Sequence, residues 1–199
     1  MKYSDLEKQI QSPVFSRQEL LLHGLTVYDY QLSLWVKKGH LLRLKKGLYV
    51  FAREAGRLRK EEVACLLYPP AYISLESALS HYGFIPEVVY ACTCVTARTN
   101  RTFDNAFGRF VYRHVKQSLF WGYAPVATES GVYQMAEPEK ALLDYLYLNL
   151  GAINSRADVE GLRLNRDQMK RHLDVNRFRR YLSAFGIKKL EQWATACLP

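Results

Sequence analysis

Apolar residues recur along the first fifty positions at helical spacing and then at strand spacing. Leu6 and Ile10 stand four apart in a short amphipathic run, Ser4 to Ile10, which Pro13 ends. Ser16-Arg17-Gln18-Glu19 has the form of a capping box, in which the Ser oxygen and the Glu carboxylate each accept from a free amide of the first turn. It opens a helix through Leu20, Leu21 and Leu22 that stops at His23-Gly24. The next helix runs from about Val27 to Lys38 and ends at Gly39, a residue that takes the left-handed cap without a Cβ clash. Past Gly39 the period drops to two. Leu41-Leu42-Arg43-Leu44 and Leu48-Tyr49-Val50-Phe51 are β-prone runs joined by Lys45-Lys46-Gly47, a tight hairpin with two lysines at its tip. Helix, helix, turn, helix, hairpin is the order of a winged helix-turn-helix.

Beyond the hairpin, Arg53 to Lys60 is charged and aperiodic and reads as a linker between a winged helix-turn-helix DNA-binding domain, 1–57, and a second domain, 58–199. A short helix around Glu61 to Leu67 is broken by Pro69-Pro70, and Ser74 can cap a helix over Leu75 to Tyr82 that stops at Gly83. From Val88 to Met135 the pattern is mostly strands: Val88–Thr96, Phe110–Val115, Phe120–Val126 and Val132–Met135. Pro138 suits the first turn of a helix, and Glu139 to Asn149 follows with Leu142, Leu143, Leu146 and Tyr147 apolar. Helices therefore predominate from about 137, and Arg156 to Leu198 holds three or four more, rich in Arg. The expected fold class is α+β: an N-terminal winged helix-turn-helix followed by a larger mixed α/β domain with a helical C-terminal tail.

Composition narrows the functional classes. The 49% hydrophobic content suffices for a packed core, which argues against a disordered chain. No run approaches the roughly 18 uncharged apolar residues of a membrane span. The charged start, Met1 to Glu7, lacks the apolar stretch of a signal peptide, so a cytoplasmic chain without a membrane partner is expected. The net charge of +9 is uneven, at +7 over 1–60, −3 over 61–150 and +5 over 151–199. A basic end on an acidic body suits a module that meets phosphates. Cys92 and Cys94 share one face of a strand and read as buried, unpaired thiols, with a metal or redox role as the alternative; a second close pair for a metal is missing.

On the third helix, Tyr28, Leu32, Trp35 and Val36 share a face that should pack inward. Tyr30, Ser33, Leu34 and Lys37 form the opposite stripe, flanked by Asp29 and Lys38. Such a stripe offers donors, acceptors and apolar contacts to base edges in a major groove, while Lys37, Lys38, Lys45 and Lys46 can neutralise phosphates. The candidate DNA-contacting residues are Tyr30, Ser33, Leu34, Lys37, Lys38, Arg43, Lys45 and Lys46. The alternative is a winged helix that makes only protein contacts.

Several segments together resemble the AbiEi family of antitoxins, from the abortive-infection toxin–antitoxin pairs of bacteria. They are Lys38 to Tyr49 in the wing and Tyr72-Ile73-Ser74-Leu75-Glu76-Ser77-Ala78-Leu79-Ser80-His81-Tyr82-Gly83. Further on come Pro86-Glu87, Val95-Thr96, Phe107-Gly108, Tyr112-Arg113-His114 and Ala136-Glu137-Pro138-Glu139-Lys140-Ala141-Leu142-Leu143-Asp144. The segments span roughly 25 to 150; Glu137 departs from the Thr expected there, and the tail after Asn149 matches less clearly. The resemblance implies a phage-defence repressor whose winged helix binds inverted repeats in the promoter of its own operon. It also implies an antitoxin domain that counteracts a cognate nucleotidyltransferase toxin, in a type IV pair that need not bind stably. Arg171, Arg177, Arg179 and Arg180 are the candidate surface for antitoxicity, as a second nucleic-acid contact or simply a solvated helix face.

The rival class is a nucleic-acid enzyme carrying a winged helix. Glu137-Pro138-Glu139-Lys140 brushes against the Asp…Glu-x-Lys pattern of metal-dependent nucleases, but Pro138 holds the position two before the lysine and the segment reads as a helix start. A nucleotidyltransferase would need Gly-Ser followed by an Asp-x-Asp pair, which the sequence lacks. The five histidines are scattered; His114 in its strand reads more readily as a hydrogen-bonded structural residue than as a functional one. The sequence reading therefore expects no catalytic residue, no metal ligand and no cofactor, and takes the chain for a regulator that is not an enzyme.

Overall fold

In the computed structural model, which describes residues 1–198, the Ser16 box forms as its residues dictate. Ser16 Oγ accepts from the Glu19 amide at 3.0 Å, and the Glu19 carboxylate accepts from the Ser16 amide at 3.4 Å. The N-terminal module runs α1 (Tyr3–Gln9), β1 (Val14–Ser16), α2 (Arg17–Leu22), α3 (Asp29–Lys37), β2 (Leu41–Lys45) and β3 (Leu48–Phe51). β1 is additional to the sequence reading. Three residues cannot show a period, yet Val14 pairs opposite Val50 and completes a sheet in the order β1-β3-β2. The α1-β1-α2-α3-β2-β3 order is that of a winged helix.

The start of α3 differs from the expectation. Tyr28 is its N-cap in extended backbone, 57% exposed and stacked on Tyr30 at 5.9 Å, not packed inward. Its end is as expected: Gly39 stands at φ +73, the His40 amide donates to the Trp35 carbonyl at 2.9 Å, and the Gly39 amide to Val36 at 3.0 Å. These paired bonds turn the chain into β2 and satisfy carbonyls the helix end leaves free. Leu6, Phe15, Leu20, Leu32, Trp35, Leu41 and Phe51 fill the module's core.

The larger part contains α4 (Lys60–Leu67), β4 (Ala71–Ile73), α5 (Leu75–His81), β5 (Cys92–Thr96), β6 (Arg101–Asn105), β7 (Gly108–His114), β8 (Tyr123–Ala127) and β9 (Val132–Ala136). Helices α6 (Pro138–Leu148), α7 (Arg156–Gly161), α8 (Arg166–His172), α9 (Val175–Phe185) and α10 (Lys188–Cys197) follow. Its six-stranded sheet has the order β6-β7-β5-β4-β9-β8, with β5/β7 and β4/β9 parallel and the other pairs antiparallel. Alternation sorts the sheet's two faces. Tyr72 and Val95 face a core made with α5, α6 and the tail helices. Ile73, Cys92, Cys94, Phe110 and Tyr112 face a second core roofed by Val63, Ala64 and Leu67 of α4. Cys92 and Cys94 thus share a buried face as expected, and all four cysteines are free.

Two strand readings change and two strands are added. β5 begins at Cys92, leaving Val88 and Tyr90 exposed before it, and β8 begins only at Tyr123, after a single 3-10 turn at Gln117–Leu119. The short β4 and the polar edge strand β6 were not expected. The linker reading also changes, because Ala52–Arg57 coils as a 3-10 helix held by ion pairs of Arg53 with Glu7 at 3.1 Å and Glu54 at 3.3 Å. Val14, Leu44, Leu48 and Val50 of the wing sheet are buried in the same core as α4 and the large sheet. Asn105 Nδ2 donates across this seam to the Leu44 carbonyl at 3.2 Å. The charge of Arg53 to Lys60 misled because Arg53 and Arg57 pair with Glu54 inside the segment and Arg53 with Glu7 outside it; the two parts meet along an apolar, hydrogen-bonded seam.

Candidate nucleic-acid interface

The period of α3 sets the interface. Leu32 and Trp35 are buried, which turns Tyr30, Ser33, Leu34 and Lys37 outward on a common solvent face, with Lys38 beside them. The Tyr28–Tyr30 stack lies at the N-terminal end of this face and the two lysines at its C-terminal end. Arg17 at the start of α2 pairs with Asp29 at 2.6 Å, so the first turns of the two helices are held together.

On the wing, Arg43 projects from β2 and Lys46 from the two-residue turn, both exposed. Lys45 is the exception. Its Nζ donates to the Leu67 carbonyl at 2.5 Å, and partial burial, reinforced by the nearby Arg98 cation, pulls its pKa below the usual lysine value. Seven of the eight candidate DNA contacts are thus on the surface, and Lys45 is turned into the seam. Sequence reasoning missed Arg98 and Arg101, which the topology brings beside the wing. Their signal was a locally basic run, Arg98, Arg101, Arg109, Arg113 and Lys116 with Asp104 the one acid among them, hidden inside a segment whose total charge is negative.

The tail arginines divide as well. Arg171, Arg179 and Arg180 are exposed, whereas Arg177 is half-buried and pairs with Glu137 at 3.3 Å and Glu139 at 3.8 Å. Arg177 therefore fastens the start of α9 to the start of α6. Asp174 caps α9, and the Arg177 and Asn176 amides donating to it hold its carboxyl below the usual carboxylate range.

Glu137-Pro138-Glu139-Lys140 lies at a helix start, with Pro138 in the first turn. Lys140 is fully buried and ion-paired with Asp144, and its Nζ donates to Tyr72 Oη at 2.8 Å. Tyr72 and Ser74 donate to the same Asp144 oxygen at 2.8 and 2.9 Å. Desolvation raises the Asp144 pKa and lowers that of Lys140, against their mutual attraction. The closed network leaves the ammonium no free direction toward a substrate. His114 Nδ1 donates to the Arg98 carbonyl at 2.8 Å, the structural role its strand position suggested. Among the described residues, no three His, Cys, Asp or Glu side chains converge as a metal site requires, and no helix is long and apolar enough to cross a membrane.

Residues 3–52 match the AbiEi antitoxin family of transcriptional regulators. The AbiEi match begins at the first residue of α1 and ends one residue past β3, so it coincides with the winged module and covers about a quarter of the chain. It reaches further toward the N-terminus than the resemblance read from the residues; beyond Ala52 that resemblance rests on its motifs. No curated protein matches the chain.

Proposed function

We propose that the chain is a cytoplasmic antitoxin that represses its own operon. The N-terminal module, 1–57, which contains the AbiEi-matched residues 3–52, binds inverted repeats in promoter DNA, and residues 58–199 counteract a nucleotidyltransferase-type toxin in a phage-defence pair, without catalysis and without the need for a stable complex. The observation that carries the reading is the outward face of α3, where Ser33 and Lys37 stand exposed over a core of Leu32 and Trp35. That face enters a major groove, Lys46 and Arg43 take the flanking phosphates, and Lys38 takes the backbone at the helix end.

Gel shifts over a salt series test it. Ser33→Ala and Lys37→Ala are expected to lose about 1–3 kcal/mol of discrimination between promoter and random duplex. Lys46→Ala is expected to weaken binding to both alike and to lower the slope of log affinity against log salt by about one. Equal losses on both duplexes for Ser33 and Lys37 would take α3 out of the groove.

The antitoxin half rests on the resemblance and has its own test. Replacing Arg171, Arg179 and Arg180 with alanine in the full chain, with the toxin co-expressed, is expected to lower cell survival while repression of a promoter reporter persists. Full survival makes these arginines a solvated helix face. Arg177 is left out because its pairing with Glu137 and Glu139 would confound a loss of stability with a loss of contact.

A further inference from the structure

We propose that duplex DNA beyond the wing is held in a second phosphate-binding cleft, built between the wing and the edge of the large sheet. The inference rests on the DNA-binding reading above and extends it to residues outside the winged module.

The cleft has a volume of about 760 Å³. Arg43, Lys45 and Lys46 line it from β2 and the hairpin turn, and Arg98 and Arg101 from the start of β6 and the loop before it. One carboxylate, Asp104, faces these five cations, and none of the five makes an ion pair among the described residues. Like charges gathered around a single counter-charge still repel one another, and a polyanion relieves that repulsion.

Arg98 is held in place before any ligand arrives. Arg98 lies over the Tyr68 ring at 4.4 Å and donates to the Pro69 carbonyl at 3.1 Å. Its loop is fastened from β7, where the His114 amide donates to Asn100 Oδ1 at 2.6 Å and the His114 ring to the Arg98 carbonyl. Arg101 stands over Phe103 at 6.0 Å. Stacked guanidiniums keep their outer N–H groups free and lose little side-chain freedom on meeting phosphate oxygens. The Asn105–Leu44 bond ties β6 to β2 and the Lys45–Leu67 bond ties β2 to the end of α4, so the cleft and the wing tip move as one surface. A backbone followed by Lys46 at the wing thus continues onto Arg98 and Arg101. The walls are cationic and their two aromatic rings are already capped by arginines, which suits a sugar–phosphate backbone better than splayed bases.

The test uses the full chain and labelled promoter duplexes of two lengths, one ending at the wing and one running roughly 10 bp, about one helical turn, beyond it. Arg98→Ala with Arg101→Ala is expected to weaken the long duplex about tenfold and to lower its salt slope by about two, since each phosphate contact contributes about 0.9. On the short duplex the double variant and the wild type should coincide. Arg98→Lys with Arg101→Lys should restore the slope, which a purely structural role through Tyr68 and Pro69 would not. An unchanged affinity and slope on the long duplex, with Lys37→Ala still impairing binding, overturns the cleft alone. A wild type that binds neither duplex overturns both readings. Preference of the cleft residues for single-stranded RNA over duplex overturns the assignment of the ligand.

Discussion

Asp144→Ala is expected to destabilise the chain by about 3–5 kcal/mol, the cost of removing one partner of a buried ion pair. The carboxylate serves three donors at once: Lys140 Nζ, Tyr72 Oη and Ser74 Oγ. Alanine strands all of them in a core where Tyr72, Ser74 and Lys140 are fully buried. Lys140→Met should cost less, because Asp144 keeps both hydroxyl donors and can take up a proton. The sign of its pH response follows. Loss of the cation that holds the Asp144 pKa down moves the folded-state pKa further above the unfolded one. Ionisation then opposes folding, so stability of the Lys140→Met variant should fall as pH rises from the ordinary carboxylate range. Urea melts of the three proteins check this. An Asp144→Ala midpoint close to the wild-type value, at equal slope, contradicts the closed network.

Trp35→Ala should cost a comparable amount, about 3–5 kcal/mol for a buried tryptophan. Trp35 is 6% exposed and meets Tyr3 edge to face at 5.7 Å, so truncation opens a cavity beneath the candidate reading face. Lys37→Ala, two residues along and exposed, should leave the melting curve unchanged while impairing DNA discrimination. The pair separates folding from reading on one helix. Circular dichroism melts decide it: a stable Trp35→Ala beside a molten Lys37→Ala would mean that α3 is rotated.

What the sequence made legible was set by local physics. The Ser16–Glu19 box, the Gly39 cap and Pro138 at the head of α6 each depend on residues within one turn of one another, and each forms as read, while the hairpin turn forms shortened to Lys46-Gly47, with Lys45 taken into β2. β1 and β4 have three residues apiece, too few for a period, and β6 is an edge strand whose exposed positions are polar. Tyr28 fits the apolar face of α3 by spacing, but helical spacing does not apply to a residue in extended backbone. The remaining surprises are tertiary. Tyr72 is 72 positions from Asp144, and Lys45 is drawn inward by a carbonyl 22 positions away. Arg98 and Arg101 reach the wing only because β6 takes the edge of the sheet next to β2. The outward stripe of α3 could be read from one helix; a cleft assembled by chain crossings could not.

The seam between the wing sheet and the large sheet also bears on how the proposed repressor would be switched off. Val14, Leu44, Leu48 and Val50 share their burial with Val63, Leu67, Ile73 and Met135, so the N-terminal module depends on the body for part of its apolar cover. A protease that opens the body strips that cover, and the head is lost with it. In the proposed autoregulator no truncated binder then survives to keep the operon silent, and the promoter is released as the supply of intact protein runs down.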